Sequence, residues 1–214
     1  MKTGIFVQLQ LWSLALLACG CTVLAPVTDR SRFYVLASDS AEQSTHTAPD
    51  PPGKSELAVG LGPVHLPEYL QRAGLATRME PTRVEYSIVD RWAEPLNDSF
   101  PRVLSQDLAH ALGTDRVVLF PWNRSLYVSY QVEVTVERFD IDTSNQAVLM
   151  ARWLIKDVKS GQIVDAGNSN QTRAAGTDGT SRTAALSQTI SAFSGELAAE
   201  VRRLREQTSP RVPA

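Results

Sequence analysis

Residues 127–140 read YVSYQVEVTVERFD, and residues 147–157 read AVLMARWLIKD. In the first run Val128, Tyr130, Val132, Val134 and Val136 fall on one face, with Ser129, Gln131, Glu133, Thr135 and Glu137 on the other. Strict alternation is the mark of a strand with one wet and one buried face. The apolar phase then jumps to Phe139 and Ile141, which a period-two strand reaches only through a bulge or by ending one sheet face. The second run carries Leu149, Ala151, Trp153 and Ile155 on one face. Lys159-Ser160-Gly161-Gln162 then turns into a polar partner over residues 163–174. Three strands joined this way form an antiparallel meander with one apolar face that must be covered.

Two helices are available to cover it. Leu186, Ile190, Phe193, Leu197, Val201 and Leu204 recur at helical spacing, and Arg202, Arg203 and Arg205 suit the negative end of that helix. A second helix is predicted over residues 96–112, from Leu96, Phe100, Val103, Leu104, Leu108, Ala111 and Leu112, with Gly113 as its stop. Pro101 either sits in the first turn of a helix begun by Asp98 or Ser99, or kinks a longer one. The remaining strands are expected at 32–36, at 57–61 closed by Gly62-Pro63, in a hairpin over 79–89 around Glu80-Pro81-Thr82, and as a short buried strand at 116–120. Residues 38–55, rich in Ser, Thr, Pro and Asp, read as an exposed loop. The order gives an α+β fold: a largely antiparallel sheet, mixed pairing left open, with two main helices packed on one face. A single domain is expected over 32–208.

The N-terminus reads as an address. Lys2 precedes an apolar run over residues 5–17, too short to span a bilayer but the length of a signal core. It ends in Leu16-Leu17-Ala18-Cys19-Gly20-Cys21, small residues before cysteine, as lipoprotein signal cleavage requires. Cys19 and Cys21 are alternative acylation sites, so the signal occupies residues 1–20 and ends at 18 or 20, with a tether over 21–31. Neither Gly20 nor Thr22 is the aspartate that retains lipoproteins at the inner membrane, which points to the outer membrane, facing the periplasm. These are the two cysteines of the chain, so the folded body has neither disulfide nor thiol chemistry. Of 214 residues 43% are hydrophobic and 21% charged, the balance of a globular protein. Without the signal, 20 basic residues face 23 acidic ones, which argues against nucleic acid as a partner.

No catalytic motif emerges. The histidines, His46, His65 and His110, form no close pair or metal-binding spacing. Gly167-Asn168-Ser169-Asn170-Gln171 lacks the second glycine of a nucleophile elbow. Asp140 to Asn145 begins like a calcium loop but has Asn145 where glycine is needed and Ala151 in place of the last acid, so it reads as a β-turn. Glu133 and Glu137 are roughly 13 Å apart along a strand, too far for an acid/base pair, and read as a solvated face. Trp92, Trp122 and Trp153 read as core. No cofactor is implied, and no enzyme activity.

The succession lipobox, Arg32-Phe33-Tyr34-Val35-Leu36, Gly62-Pro63-Val64-His65-Leu66-Pro67-Glu68-Tyr69-Leu70, Arg91-Trp92-Ala93-Glu94-Pro95-Leu96 and Pro121-Trp122 resembles the PqiC (YmbA-type) auxiliary lipoproteins of ABC lipid-transport systems that use MCE proteins. Arg91, Trp92, Glu94, Pro95, Pro121 and Trp122 carry the resemblance as structural motifs. It implies a non-catalytic lipoprotein at the outer membrane that docks a trans-periplasmic MCE protein for intermembrane lipid transport, with homo-oligomers compatible with the family. A lipoprotein that assembles or scaffolds an outer-membrane β-barrel machine is the alternative. Leu66, Pro67, Tyr69 and Leu70 are the expected partner contact, set against a reading in which Tyr69 and Leu70 tuck over the core.

Overall fold

The computed structural model describes residues 29–38, 57–123 and 126–208. The chain divides into two compact units, Met1–Arg30 and Ser31–Ala214, and the fold described is that of the second. Cys19, Cys21, most of the expected tether and nearly all of the expected loop at 38–55 lie outside the described residues.

The alternating run forms a long strand, β6 (Tyr130–Asp142), which pairs antiparallel with β7 (Gln146–Asp157) along its whole length. β7 in turn pairs antiparallel with β8 (Ile163–Ala174). The β6–β7 register shifts between Val136 and Arg138, where the apolar phase changes. Val132, Val134 and Val136 before the bulge, and Phe139 and Ile141 after it, are all buried. One extra residue thus keeps both halves facing the same core. The strand starts later than the expected Tyr127. Ser129 donates its N–H to the Ala58 carbonyl, and Tyr127 is 66% exposed.

The other side of β6 is forked. β2 (Val59–His65) lies parallel to its first half, with β5 (Val117–Leu119) parallel outside β2. At the far end of β6, Ile141 and Asp142 pair with β3 (Gly74–Glu80), which continues to β4 (Arg83–Trp92) and then β1 (Arg32–Tyr34). The sheet is therefore mixed: its long ladders are antiparallel and its parallel pairs are short.

Several boundaries differ from the sequence expectations. β2 is not closed by Gly62-Pro63 but runs through both to His65, with a register shift between Leu61 and Val64 that accommodates the proline. Gly62 has φ 115°, a conformation that favours glycine, and its bond to Pro63 is cis. β1 stops at Tyr34 because Leu36 leaves the sheet for the core and the Ala37 N–H bonds Ser187 Oγ. β5 is an edge strand of its branch, with Leu119 40% exposed, rather than a buried one. The hairpin turns at Pro81-Thr82 as expected, with longer arms.

Helix α1 (Leu96–Leu112) and helix α2 (Gly179–Thr208) pack on one face of the sheet and against each other. α2 lies over β6, β7 and β8, while α1 lies over β2 and β5. Every residue of the predicted α2 stripe is buried. α1 begins at Leu96, as the longer of the two expected helices, and extended Pro95 at its N-cap offers its carbonyl to the N–H groups of Asp98 and Ser99. Pro101 consequently lies inside the helix. Its missing N–H would have met the carbonyl of Asn97, an exposed residue where water can serve instead. Gly113 ends α1 in the left-handed conformation.

Candidate functional site

The segment after β2 folds back on the sheet. Leu66 and Pro67 are half-buried, and Glu68–Gln71 forms one 3₁₀ turn. Leu70 is 3% exposed and belongs to the core, so burial removes it from the expected partner contact. Tyr69 is half-buried with its hydroxyl directed inward, donating to Asp140 Oδ2 at 3.1 Å and accepting the Phe139 N–H at 3.3 Å. Tyr86 of β4 donates its hydroxyl to the Tyr69 carbonyl at 2.9 Å. The tucked reading describes Tyr69 and Leu70, leaving Leu66 and Pro67 at the surface corner beside exposed His65 and Glu68.

Asp140 is the hub of this region and was not singled out in that role from sequence. Its side chain is 0% exposed. Arg78 of β3 donates from Nε to Oδ2 at 2.9 Å and its Nη2 forms an ion pair with the same oxygen at 2.9 Å, while Arg138 Nε donates to Oδ1 at 2.7 Å. Arg78 also reaches the Pro81 carbonyl and lies 5.4 Å from the centre of the Tyr69 ring. Burial disfavours the Arg78 charge, but the hydrogen bond and charge of Asp140 outweigh it, so its pKa rises. Burial, then the Asp140 charge, push the Tyr69 phenol above its usual pKa. The cluster ties β3, β6 and the 3₁₀ turn together where the sheet forks. Alternation gave no warning, because with Phe139 and Ile141 inward a period-two strand places Asp140 on the polar face. The arginine that pairs with it from β3 lies 62 residues away, beyond any local pattern.

The other motif residues are structural. Trp92 is 8% exposed and donates its N–H to the Ala73 carbonyl, Glu94 pairs with Arg102, and Pro95 caps α1. Arg91 is exposed. Trp122 is half-buried and lies over Gly60, where a Cβ would clash with its ring. Phe120 meets Trp122 edge-on at 5.6 Å and its N–H bonds the Leu61 carbonyl, so Pro121-Trp122 is folded across β2. Trp153 is core, its indole over Gly167, and its Nε1 donates to Glu196 of α2 at 3.4 Å.

The weaker motifs resolve as structure. Ser169 lies inside β8 and donates to Glu196 at 2.6 Å. Asp142, rather than a calcium ligand set, organises the β6–β7 turn by accepting the N–H groups of Ser144 and Gln146. Glu133 pairs with Lys156 and Glu137 with Arg152 across the open sheet face. That face holds a hollow of about 560 Å³ bordered by His65, Glu133, Thr135, Arg152 and Asn168. Among the described residues no group of three or more His, Cys, Asp and Glu is placed to hold a metal, and no helix is long and apolar enough to cross a membrane.

The family model of the ABC-type transport auxiliary lipoprotein component matches residues 34–198, which span β1 to α2. The chain belongs to that family. Among solved structures, a protein of Xanthomonas campestris is 14% identical with a TM-score of 0.62, covering 83% of this chain and 100% of its own. An uncharacterized protein is 18% identical with a TM-score of 0.63, covering 80% of this chain and 98% of its own. Both similarities are of fold. A search of curated proteins finds no match. In this auxiliary lipoprotein the motif residues fall into two groups: Tyr69, Leu70 and Trp92 gather around the crevice beside Phe139 and Leu186, while Pro121 and Trp122 close over β2. Leu66 and Pro67 remain at the surface.

Proposed function

We propose that this auxiliary lipoprotein is a non-catalytic component of an MCE-type ABC lipid-transport system, anchored in the outer membrane and facing the periplasm, where it docks the MCE protein. The observation that carries the reading is the family match over β1 to α2, joined to the Leu16–Cys21 lipobox. Acylation of Cys19 or Cys21 adds more than one chain, which gives stable anchoring where a single chain would not. The rigid Asp140–Arg78–Tyr69 join supports the corner at Leu66 and Pro67, which, with the exposed part of the Tyr69 ring, is the partner contact in this reading. An apolar corner bordered by Glu68 and Arg72 has the composition of an interface centre with a polar rim.

Mass spectrometry of the mature chain and density fractionation of the envelope test the address. Acyl chains on Cys19 or Cys21, with the protein in the outer-membrane fraction, are expected. An unmodified cysteine pair or an inner-membrane protein contradicts it. Glu68→Arg, at the exposed rim of this corner, should leave the melting temperature nearly unchanged and weaken binding of the purified MCE protein, whereas unchanged binding removes this corner from the contact.

A further inference from the structure

At the outer edge of the β3–β4–β1 branch, Phe33, Val35 and Ile88 are 61, 53 and 87% exposed. Ile88 protrudes for a local reason: Ser87 Oγ accepts the N–H groups of Val89 and Asp90, and the β3–β4 register skips between Gly74 and Ala76. Phe33 lies in register with Arg91, which is exposed and has no ion-pair partner among the described residues. Arg32, its side chain 59% exposed, pairs with Asp90 at 2.8 Å. Exposed apolar side chains beside arginine fit either a protein partner or a lipid surface.

Two features select the lipid surface. β1 is three residues long and flanked by a charge, so it offers little backbone for strand addition by a second copy. It also begins one residue after Ser31, where the folded unit starts. Cys21 precedes Ser31 by ten residues and Cys19 precedes it by twelve, which at about 3.3–3.6 Å each allow no more than roughly 36 Å or roughly 43 Å from anchor to fold. A short tether holds the edge next to it at high effective concentration over the bilayer. Exposed apolar residues at the other end of β6, such as Tyr127 and Ile163, are set off from this branch by about eleven residues of strand, roughly 36 Å.

We propose that the β1–β4 edge lies on the membrane, with Phe33, Val35 and Ile88 in the headgroup–acyl boundary and Arg91 at anionic headgroups. The proposal rests on the lipid-anchor reading and adds the orientation of the fold on the membrane. The test uses the full acylated chain, with whichever of Cys19 and Cys21 is unacylated changed to serine. Phe33→Cys, Ile88→Cys and Tyr127→Cys variants are each labelled with bimane and placed in phosphatidylethanolamine–phosphatidylglycerol vesicles with brominated acyl chains. Side chains seated about 5–10 Å into the boundary should lose at least half their emission at positions 33 and 88, with little change at 127. A chain that is acylated and vesicle-bound but unquenched at 33 and 88, or quenched at 127 instead, overturns the orientation alone. A chain that carries no acyl group overturns the anchor reading and the orientation together.

Discussion

Asp140→Asn tests whether the fork of the sheet is held by charge. The carboxylate accepts one hydrogen bond each from Arg78, Arg138 and Tyr69, forms an ion pair with Arg78 Nη2 as well, and has a side chain that is 0% exposed. Asparagine keeps the shape, but its NH₂ group cannot accept and would face a guanidinium. Removing one partner of a buried ion pair costs about 3–5 kcal/mol because the remaining charge stays buried. Arg78 and Arg138 keep 19% and 22% exposure, so water can partly recover them and the lower end, about 3 kcal/mol, applies. For a domain of this size that is a fall in melting temperature of roughly 6–12 °C. Urea unfolding followed by far-UV circular dichroism measures it. The same substitution in an Arg78→Met background should cost about 1–2 kcal/mol less, since the pair is already broken. A loss below about 1 kcal/mol, or strictly additive costs, would make the cluster a solvated surface feature rather than a buried ion-pair join.

Leu197→Ala should lose about 2–5 kcal/mol by urea unfolding, because Leu197 is fully buried on α2; a loss under half a kcal/mol would mean that the stripe faces solvent. Gly60→Ala places a methyl group against Trp122 and should cost about 1–3 kcal/mol, with recovery on Trp122→Leu; an unchanged melting temperature contradicts that packing. Tyr69 has a raised pKa, so the unfolded phenol loses its proton first. Its contribution is complete below about pH 10 and falls as pH rises through the folded value. Tyr69→Phe should therefore flatten the alkaline fall in stability, and an identical fall in both proteins contradicts the assignment.

The sheet meander, both helices and the bulge were legible because each is written in local periodicity: the shift from Val136 to Phe139 is visible in one strand. The parallel pairs and the fork were not. Whether β2 and β3 lie beside β6 depends on contacts between residues far apart in sequence, such as Thr77 with Ile141. Turn chemistry misled at Gly62-Pro63, where a proline that usually ends a strand is carried at a register shift. Of the candidate contact, the sequence marked the right segment but not the direction of its side chains. The Tyr69 hydroxyl turns inward to Asp140, itself placed by the bulge, and Leu70 turns inward to join the apolar core. Trp122 was read as core, and it is half-buried because its packing partner is a bare glycine on a branch near the sheet edge.

If this auxiliary lipoprotein docks an MCE protein, the corner at Leu66, Pro67 and Glu68 must lie against it. A photo-crosslinking amino acid at Glu68, in the acylated chain expressed in its own envelope, tests it most directly when the crosslinked species are identified by mass spectrometry. A crosslink to an MCE-domain protein is expected, lost when the same probe is moved to Gln162 in the exposed β7–β8 turn. A crosslink to an outer-membrane β-barrel protein in its place, with the MCE protein absent, would contradict it.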